Sequence, residues 1–370
     1  MGLTYFQKLS RETKTRFWIN NPTLEEARKA IAAGAISCTT NPTYSARMLR
    51  STSEREVALS LVDEALRKEP DDARAAEIVQ RGLARRILEE FLPVYRARPF
   101  LEGFVSVQGD PIASSDSGKI LAAGLEDRKL GPNCIVKVPV TEAGLAAIEE
   151  LVSADIPVIA TEIMGIAQAI AACELYGRVS RKTGRRPPFY VTHITGIFDE
   201  YLAARARETS IDVRPASLFQ AGSIIARKQH RILVERGYPV TMMGGGARGL
   251  HHFTEMVGAD VHITINWTGT AEGLIQQDPP IVDRIHHDDS PHMIEELAEK
   301  LPDFHRAWEE DGLAPREFED FGPVAYFRDM FIEGWKALVQ AVRERRESLG
   351  ESRRGEVVAW TRGSRAGLRS

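Results

Sequence analysis

The chain has 370 residues, with 48 basic against 52 acidic side chains and a net charge of −4. That length can bury a large core, as one α/β domain or two smaller ones. The near balance of charge gives no overall attraction to nucleic acid or an anionic membrane. Three cysteines, Cys38, Cys134 and Cys173, lie in apolar contexts without metal-ligand spacing, and read as free thiols of a reducing compartment. No signal-peptide pattern and no run long enough for a membrane span can be found, so a cytoplasmic protein is expected.

Eight β-type segments are predicted, at 16–20, 35–41, 100–108, 134–140, 156–162, 189–194, 238–244 and 260–266. Helical patterns between them include 24–33, 142–152, 163–176, 216–235 and 248–257. Strands alternating with helices imply a parallel sheet. Eight such units imply a closed (β/α)8 TIM barrel in the α/β class. Two additions are expected: a charged helical insertion over 53–94, after the second strand, and further helices from about residue 290 to 347. Phe304, Trp308, Phe318, Phe321, Phe327, Phe331 and Trp335 would anchor the latter. Those helices have two readings, a cover for the barrel mouth or a surface that joins subunits of a homo-oligomer. Residues 1–348 form one domain in this reading. The Gly-, Ser- and Arg-rich stretch 349–370 is expected to be disordered.

In such a barrel the reactive groups gather at the C-terminal strand ends. Here those ends are polar: Asn20 and Asn21; Thr39, Thr40, Asn41 and Thr43; Ser106 and Gln108; Lys137; Thr161 and Glu162; Thr192 and His193; then Gly244–Gly246 and Arg248. Single Thr or Asn residues in such places are often helix caps. Lys137 stands apart, because it interrupts the apolar run Ile135–Val140. Burial there favours the neutral amine, which can attack a carbonyl; a lysine at that point could equally snorkel or pair with a carboxylate. Successive backbone N–H groups of Gly244–Gly246 could form an anion nest, with Arg248 adding charge.

The segment R-F-W-I-N-N-P-T-L-E-E-A-R-K-A-I-A-A-G-A-I-S-C-T-T-N-P-T resembles the opening of transaldolases and fructose-6-phosphate aldolases. The likeness continues through V-S-V-Q, I-V-K-V-P-V-T-E-A-G, I-P-V-I-A-T-E-I-M-G, Y-V-T-H-I-T-G-I-F-D-E and G-G-G-A-R, over about residues 15–270. The resemblance implies a Schiff-base lysine at Lys137 and transfer of a dihydroxyacetone unit between sugar phosphates, with no cofactor and no metal. It assigns substrate hydroxyls to Asn41 and Thr40, the proton-relay water to Thr161, and a hydroxyl role to Thr192. The phosphate falls to Gly245, Gly246 and Arg248.

Four positions depart from the family pattern. Asn20 stands where an aspartate acts as acid/base, and Gln108 where a glutamate works through water. Ile159 replaces an asparagine, and Ile197 the second phosphate arginine. Amides do not exchange protons near neutrality, and general acid–base help is worth about 10²–10⁴-fold. Asp110, Glu162 and His193 are candidate substitutes, although strand alternation turns Glu162 and His193 outward if Thr161 and Thr192 face in. His262, Thr264 and Asn266 share one face of the last strand. The group His286, His287, Asp288, Asp289 and His292 fits no standard metal pattern. Besides sugar-phosphate transfer, two alternatives stand: a divergent Schiff-base aldolase or lyase acting on a less phosphorylated carbonyl, and a non-catalytic binding protein.

Overall fold

The computed structural model describes residues 2–366. Its eight strands are β1 (Arg16–Asn20), β2 (Ser37–Thr39), β3 (Val105–Gln108), β4 (Cys134–Pro139), β5 (Val158–Ile163), β6 (Phe189–Ile194), β7 (Thr241–Gly245) and β8 (Val261–Ile265). All neighbours run parallel, and β8 pairs with β1 to close an eight-stranded barrel in chain order. The expected TIM barrel is therefore the fold, with extra helices after β2 and at the C-terminus.

The two-residue period of the strands divides the interior into layers. Trp18, Ile135, Ile159, Tyr190 and Met243 pack in the lower barrel with Phe104 and Tyr95. Burying each of the aliphatic members contributes about 1.5–3 kcal/mol. Two residues on from Trp18, Ile135, Ile159, Tyr190 and Met243, the same strands present Asn20, Lys137, Thr161, Thr192 and Gly245. An apolar plug thus supports a polar layer at the C-terminal ends.

The insertion forms Tyr44–Arg50, Arg55–Lys68 and Asp72–Ala97. After β8 come Pro291–Lys300, Pro302–Trp308 and a helix from Gly322 to Ala366. That last helix crosses the barrel mouth, and Gly334 allows it to sit close: a Cβ there would meet Thr43 Cγ2 at 2.8 Å and its Cα at 2.9 Å. The stretch expected to be disordered begins within this helix, and its residues 367–370 lie outside the described residues.

The predicted strands 35–41 and 238–244 narrow to Ser37–Thr39 and Thr241–Gly245, and two further elements change. The segment 100–108 is a strand only from Val105: Phe100 has φ 64° and is exposed with Leu101. Those apolar residues follow a helix end rather than start a strand. The helix predicted at 248–257 shortens to His251–Thr254, because the chain through Gly246–Gly249 is spent on a turn beside the mouth.

Candidate functional site

Lys137 lies on the inward face of β4 and is only 7% exposed. Two cavities meet at this side chain. One, of about 240 Å³, opens at the mouth among Asn20, Asn41, Thr192, Gly245, Gly246, Arg248, Thr264 and Asn266, and is roofed by Phe327, Met330 and Phe331. The other, of about 260 Å³, runs along β3–β5 past Gln108, Asp110, Glu162 and Arg328. Ligand sites usually span about 300–1,000 Å³, a size the two reach together. The Lys137 ammonium lies 5.9 Å from the centre of the Phe331 ring, a cation–π approach from the covering helix.

Burial pulls the Lys137 ammonium well below the ordinary lysine range, with Glu162 opposing the shift in part. Burial likewise pushes Glu162 above the usual carboxylate range, against the stabilising Gln108 hydrogen bond and the Lys137 and Arg328 charges. A lysine so placed is far more available as a neutral amine than a surface one.

The position of Glu162 overturns the outward orientation expected from strand alternation. In the β5–β6 ladder Ala160 pairs with Val191 and Ile163 with His193, so Thr161 and Glu162 together oppose Thr192. This bulge adds one residue, and Glu162 takes φ 61° to accommodate it. Such a backbone costs a non-glycine residue about 1–3 kcal/mol and is typical of functional sites. Gln168, fully buried, pins it: its Nε2 donates to the carbonyls of Val140 (3.0 Å) and Glu162 (3.2 Å), while its Oε1 accepts from Met164 and Gly165 N–H. The Glu162 carboxylate, 3% exposed, accepts a 2.8 Å hydrogen bond from Gln108 Nε2.

Three side-chain oxygens at neighbouring strand ends, Gln108 Oε1, Thr161 Oγ1 and Thr192 Oγ1, are buried without a protein partner. Buried polar atoms are normally paired, so this group marks a place for a polar ligand or its water. Thr192 lines the mouth cavity; Thr161 lines neither cavity, nor does Thr40, whose hydroxyl donates to Ser106 O at 2.6 Å.

The opposite wall is built from amides and hydroxyls. Asn20 Nδ2 donates to Asn266 Oδ1 (2.9 Å) and Asn20 Oδ1 accepts from Thr39 (2.9 Å), which also meets Thr264 at 2.6 Å. Asn41 Oδ1 accepts from the Thr43 N–H and hydroxyl, which leaves its amide hydrogens for a ligand. Among the described residues, no carboxylate or imidazole lines the mouth cavity.

Two arginines do. Arg248 follows the left-handed turn at Gly246 (φ 70°) and is paired with Glu200, whose other oxygen accepts from the Tyr326 hydroxyl. His252 braces this turn. Its Nδ1 accepts the Arg248 and Gly249 N–H groups at 3.1 Å, and its Nε2 donates to Asp199 at 2.8 Å. Gly196 permits the approach, since a Cβ there would stand 2.6 Å from the Arg248 nitrogen. Asp199, His251 and His252 come near enough together to suggest a metal site, but both His252 ring nitrogens are already committed. The second arginine, Arg47, reaches the cavity from Tyr44–Arg50 and is held by the Asn21 carbonyl at 2.8 Å and by Glu26. Sequence reasoning missed it, along with Glu200 and the His252 brace.

The other candidates are placed as follows. Asp110 caps the turn Pro111–Ala113, accepting from Ile112 N–H at 2.8 Å, and lines the β3–β5 cavity. His193 faces the outer helices, with Nε2 3.1 Å from Gly222 O. His262 points inward but is used in the plug, where Trp18 Nε1 donates to its Nδ1 at 3.0 Å. His286 meets Asp283, and Asp289 forms an ion pair with buried Arg227.

The chain matches the family described as Transaldolase/Fructose-6-phosphate aldolase over residues 17–312. It belongs to that family. Transaldolase 1 of Streptomyces coelicolor is 33% identical over an alignment of 144 residues that covers 35% of this chain and 34% of that protein; the match spans about a third of the relative's length. The solved structure of 2,3-dimethylmalate lyase, from the PEP mutase/isocitrate lyase superfamily, aligns over 80% of this chain and 92% of its own with 11% identity and a TM-score of 0.29. Among the described residues of this family member, no helix is long and apolar enough to cross a membrane.

Proposed function

We propose that this protein is a Schiff-base enzyme that transfers a three-carbon ketol (dihydroxyacetone) unit between sugar phosphates. The observation that carries the reading is Lys137, a buried amine of lowered basicity where two cavities meet, in a chain of the transaldolase/fructose-6-phosphate aldolase family. The amine attacks the ketose carbonyl, and the resulting iminium draws electrons from the bond that breaks. Asn41 and Thr192 bind hydroxyls, Thr161 orients water, and Arg248 with the Gly245–Gly246 turn receives the phosphate. Asn20 and Gln108 orient groups through their amides.

A second reading, action on a less phosphorylated carbonyl compound, is favoured by two observations. Arg248 is already paired with Glu200, and Ile197 lines the mouth where the family's second arginine would stand. Reductive trapping tests both. With borohydride and fructose 6-phosphate, the first reading expects a mass increment on Lys137; an increment only with unphosphorylated dihydroxyacetone supports the second. No increment with either would sink both and leave a binding protein.

A further inference from the structure

We infer that Glu162 is the acid–base group that acts on the Lys137 imine, doing from β5 the proton-transfer work that the family's glutamate does from the Gln108 position on β3. The inference rests on the Schiff-base reading above. Four features of the geometry converge on it. The bulge places Thr161 and Glu162 opposite Thr192, which turns a side chain expected outside the barrel into it. A left-handed backbone, unusual for glutamate, holds that orientation, and the Gln168 amide saturates its hydrogen bonds to keep it. The carboxylate meets Gln108 Nε2, so the amide at the old acid position now orients an acid two strands away, across β4. Finally, Glu162 and Lys137 line the same cavity.

The chemistry balances on this pair. Neutral Lys137 Nζ forms a bond to the carbonyl carbon as the C=O π pair moves to oxygen, and that oxygen takes the Glu162 proton. The new ammonium returns a proton to the Glu162 carboxylate, giving a neutral carbinolamine. As the nitrogen lone pair forms the C=N bond, the C–O bond breaks and the hydroxyl leaves as water with the Glu162 proton. The products are a cationic iminium and a carboxylate, so the net charge of the pair is unchanged. Arg328 lines the cavity but is bound to Glu319, which also accepts from Ser114, and Asp110 is turned into its own backbone cap. Five further charged side chains line the same cavity: Arg81 is paired with Glu77 and Asp127, Lys119 with Asp116, and Glu126 with Lys129.

The alternative is that Glu162 serves only as a counter-charge, and the two roles predict opposite signs. A counter-charge favours the protonated amine, so Glu162→Gln would leave more neutral Lys137 and trapping at neutral pH would hold or quicken. An acid–base group makes the same variant slower. The experiment measures the initial rate of Lys137 labelling by cyanoborohydride with fructose 6-phosphate and with dihydroxyacetone. Wild type, Glu162→Gln and the double variant Gln108→Glu/Glu162→Gln are compared, with folding checked by melting. The expected result is a fall of about 10²–10⁴-fold in E162Q, with loss of the alkaline descent of the rate–pH profile. The double variant, which returns a carboxylate to β3, recovers most of the rate. An E162Q rate equal to or above wild type, or a double variant as slow as E162Q, overturns the inference. Absence of wild-type labelling overturns the Schiff-base reading itself, and is distinguishable because it precedes any comparison of variants.

Discussion

The two walls of the barrel mouth differ in kind. On the β3–β5 side a buried lysine and a buried carboxylate share a cavity, and burial drives both toward their neutral forms. On the β8–β1–β2 side Asn20, Thr39, Thr264 and Asn266 form a network, with Asn41 held beside it by Thr43, that has donors and acceptors but no exchangeable acid. On the proposed function, the groups that would make and break the imine are concentrated on one wall, and amides and hydroxyls suited to sugar hydroxyls on the other. On the same reading, a family member with this division would retain covalent capture, while Asn20 would leave the carbon–carbon cleavage step without a base at the end of β1.

The comparison is broken most directly at Lys137. Lys137→Met removes the amine but keeps an apolar chain of similar length, and both adduct formation and transfer are expected to vanish; mass spectrometry after reduction and a coupled transfer assay check this. The pH response is a related test. Because burial lowers the Lys137 titration, the neutral amine appears at lower pH than for a free lysine near 10.4. Wild-type trapping should therefore rise with pH well before that value, and a rise centred at or above 10.4 would contradict the burial argument.

Asn20→Asp sharpens the contrast from the other side. Thr39 can still donate to one carboxylate oxygen, and Asn266 can turn its NH2 toward the other, so the fold accommodates the change. Transfer is expected to rise by about 10²–10⁴-fold while the trapping rate changes little; equal changes in both would show that the β1 wall also shapes imine formation. Arg248→Ala should raise KM for a phosphorylated ketose by about 10- to 100-fold, the worth of a hydrogen bond to a charged group at about 1.5–3 kcal/mol, and leave the unphosphorylated ketose unaffected. The smallest effect belongs to the roof. Gly334→Val presses against Thr43 and should cost about 1–3 kcal/mol of stability, read as a lower Tm with a modest rise in KM.

The barrel and its lysine were legible in the chain because both rest on short-range pattern. Strand period places Trp18 and Asn20, or Ile135 and Lys137, on one face, and a lysine within an apolar run announces itself. Glu162 was hidden because alternation counts residues, and a single bulge inverts every inference beyond it. Nothing in A-T-E-I-M distinguishes a bulged strand from a regular one. Arg47 was obscured by its surroundings in another way: among so many arginines, only the helix Tyr44–Arg50, which the strand pattern did not suggest, brings this one to the mouth. Phe100 and Leu101 misled for the converse reason, since apolar residues mark burial only when the chain around them can be covered.

The covering helix is fastened far from the cavity. Arg345 grips Asp63 with two 2.7 Å bonds, and Arg346 and Arg343 share Asp72; both acids belong to the insertion after β2. Each half-exposed pair alone is worth at most about 1 kcal/mol, yet together they act as a clasp joining the two additions. Insertion and roof are therefore joined into a single structural unit. Removing the helices at 55–97 would take away that clasp and leave the covering helix to its holds at the mouth, Tyr326 on Glu200 and Arg328 on Glu319.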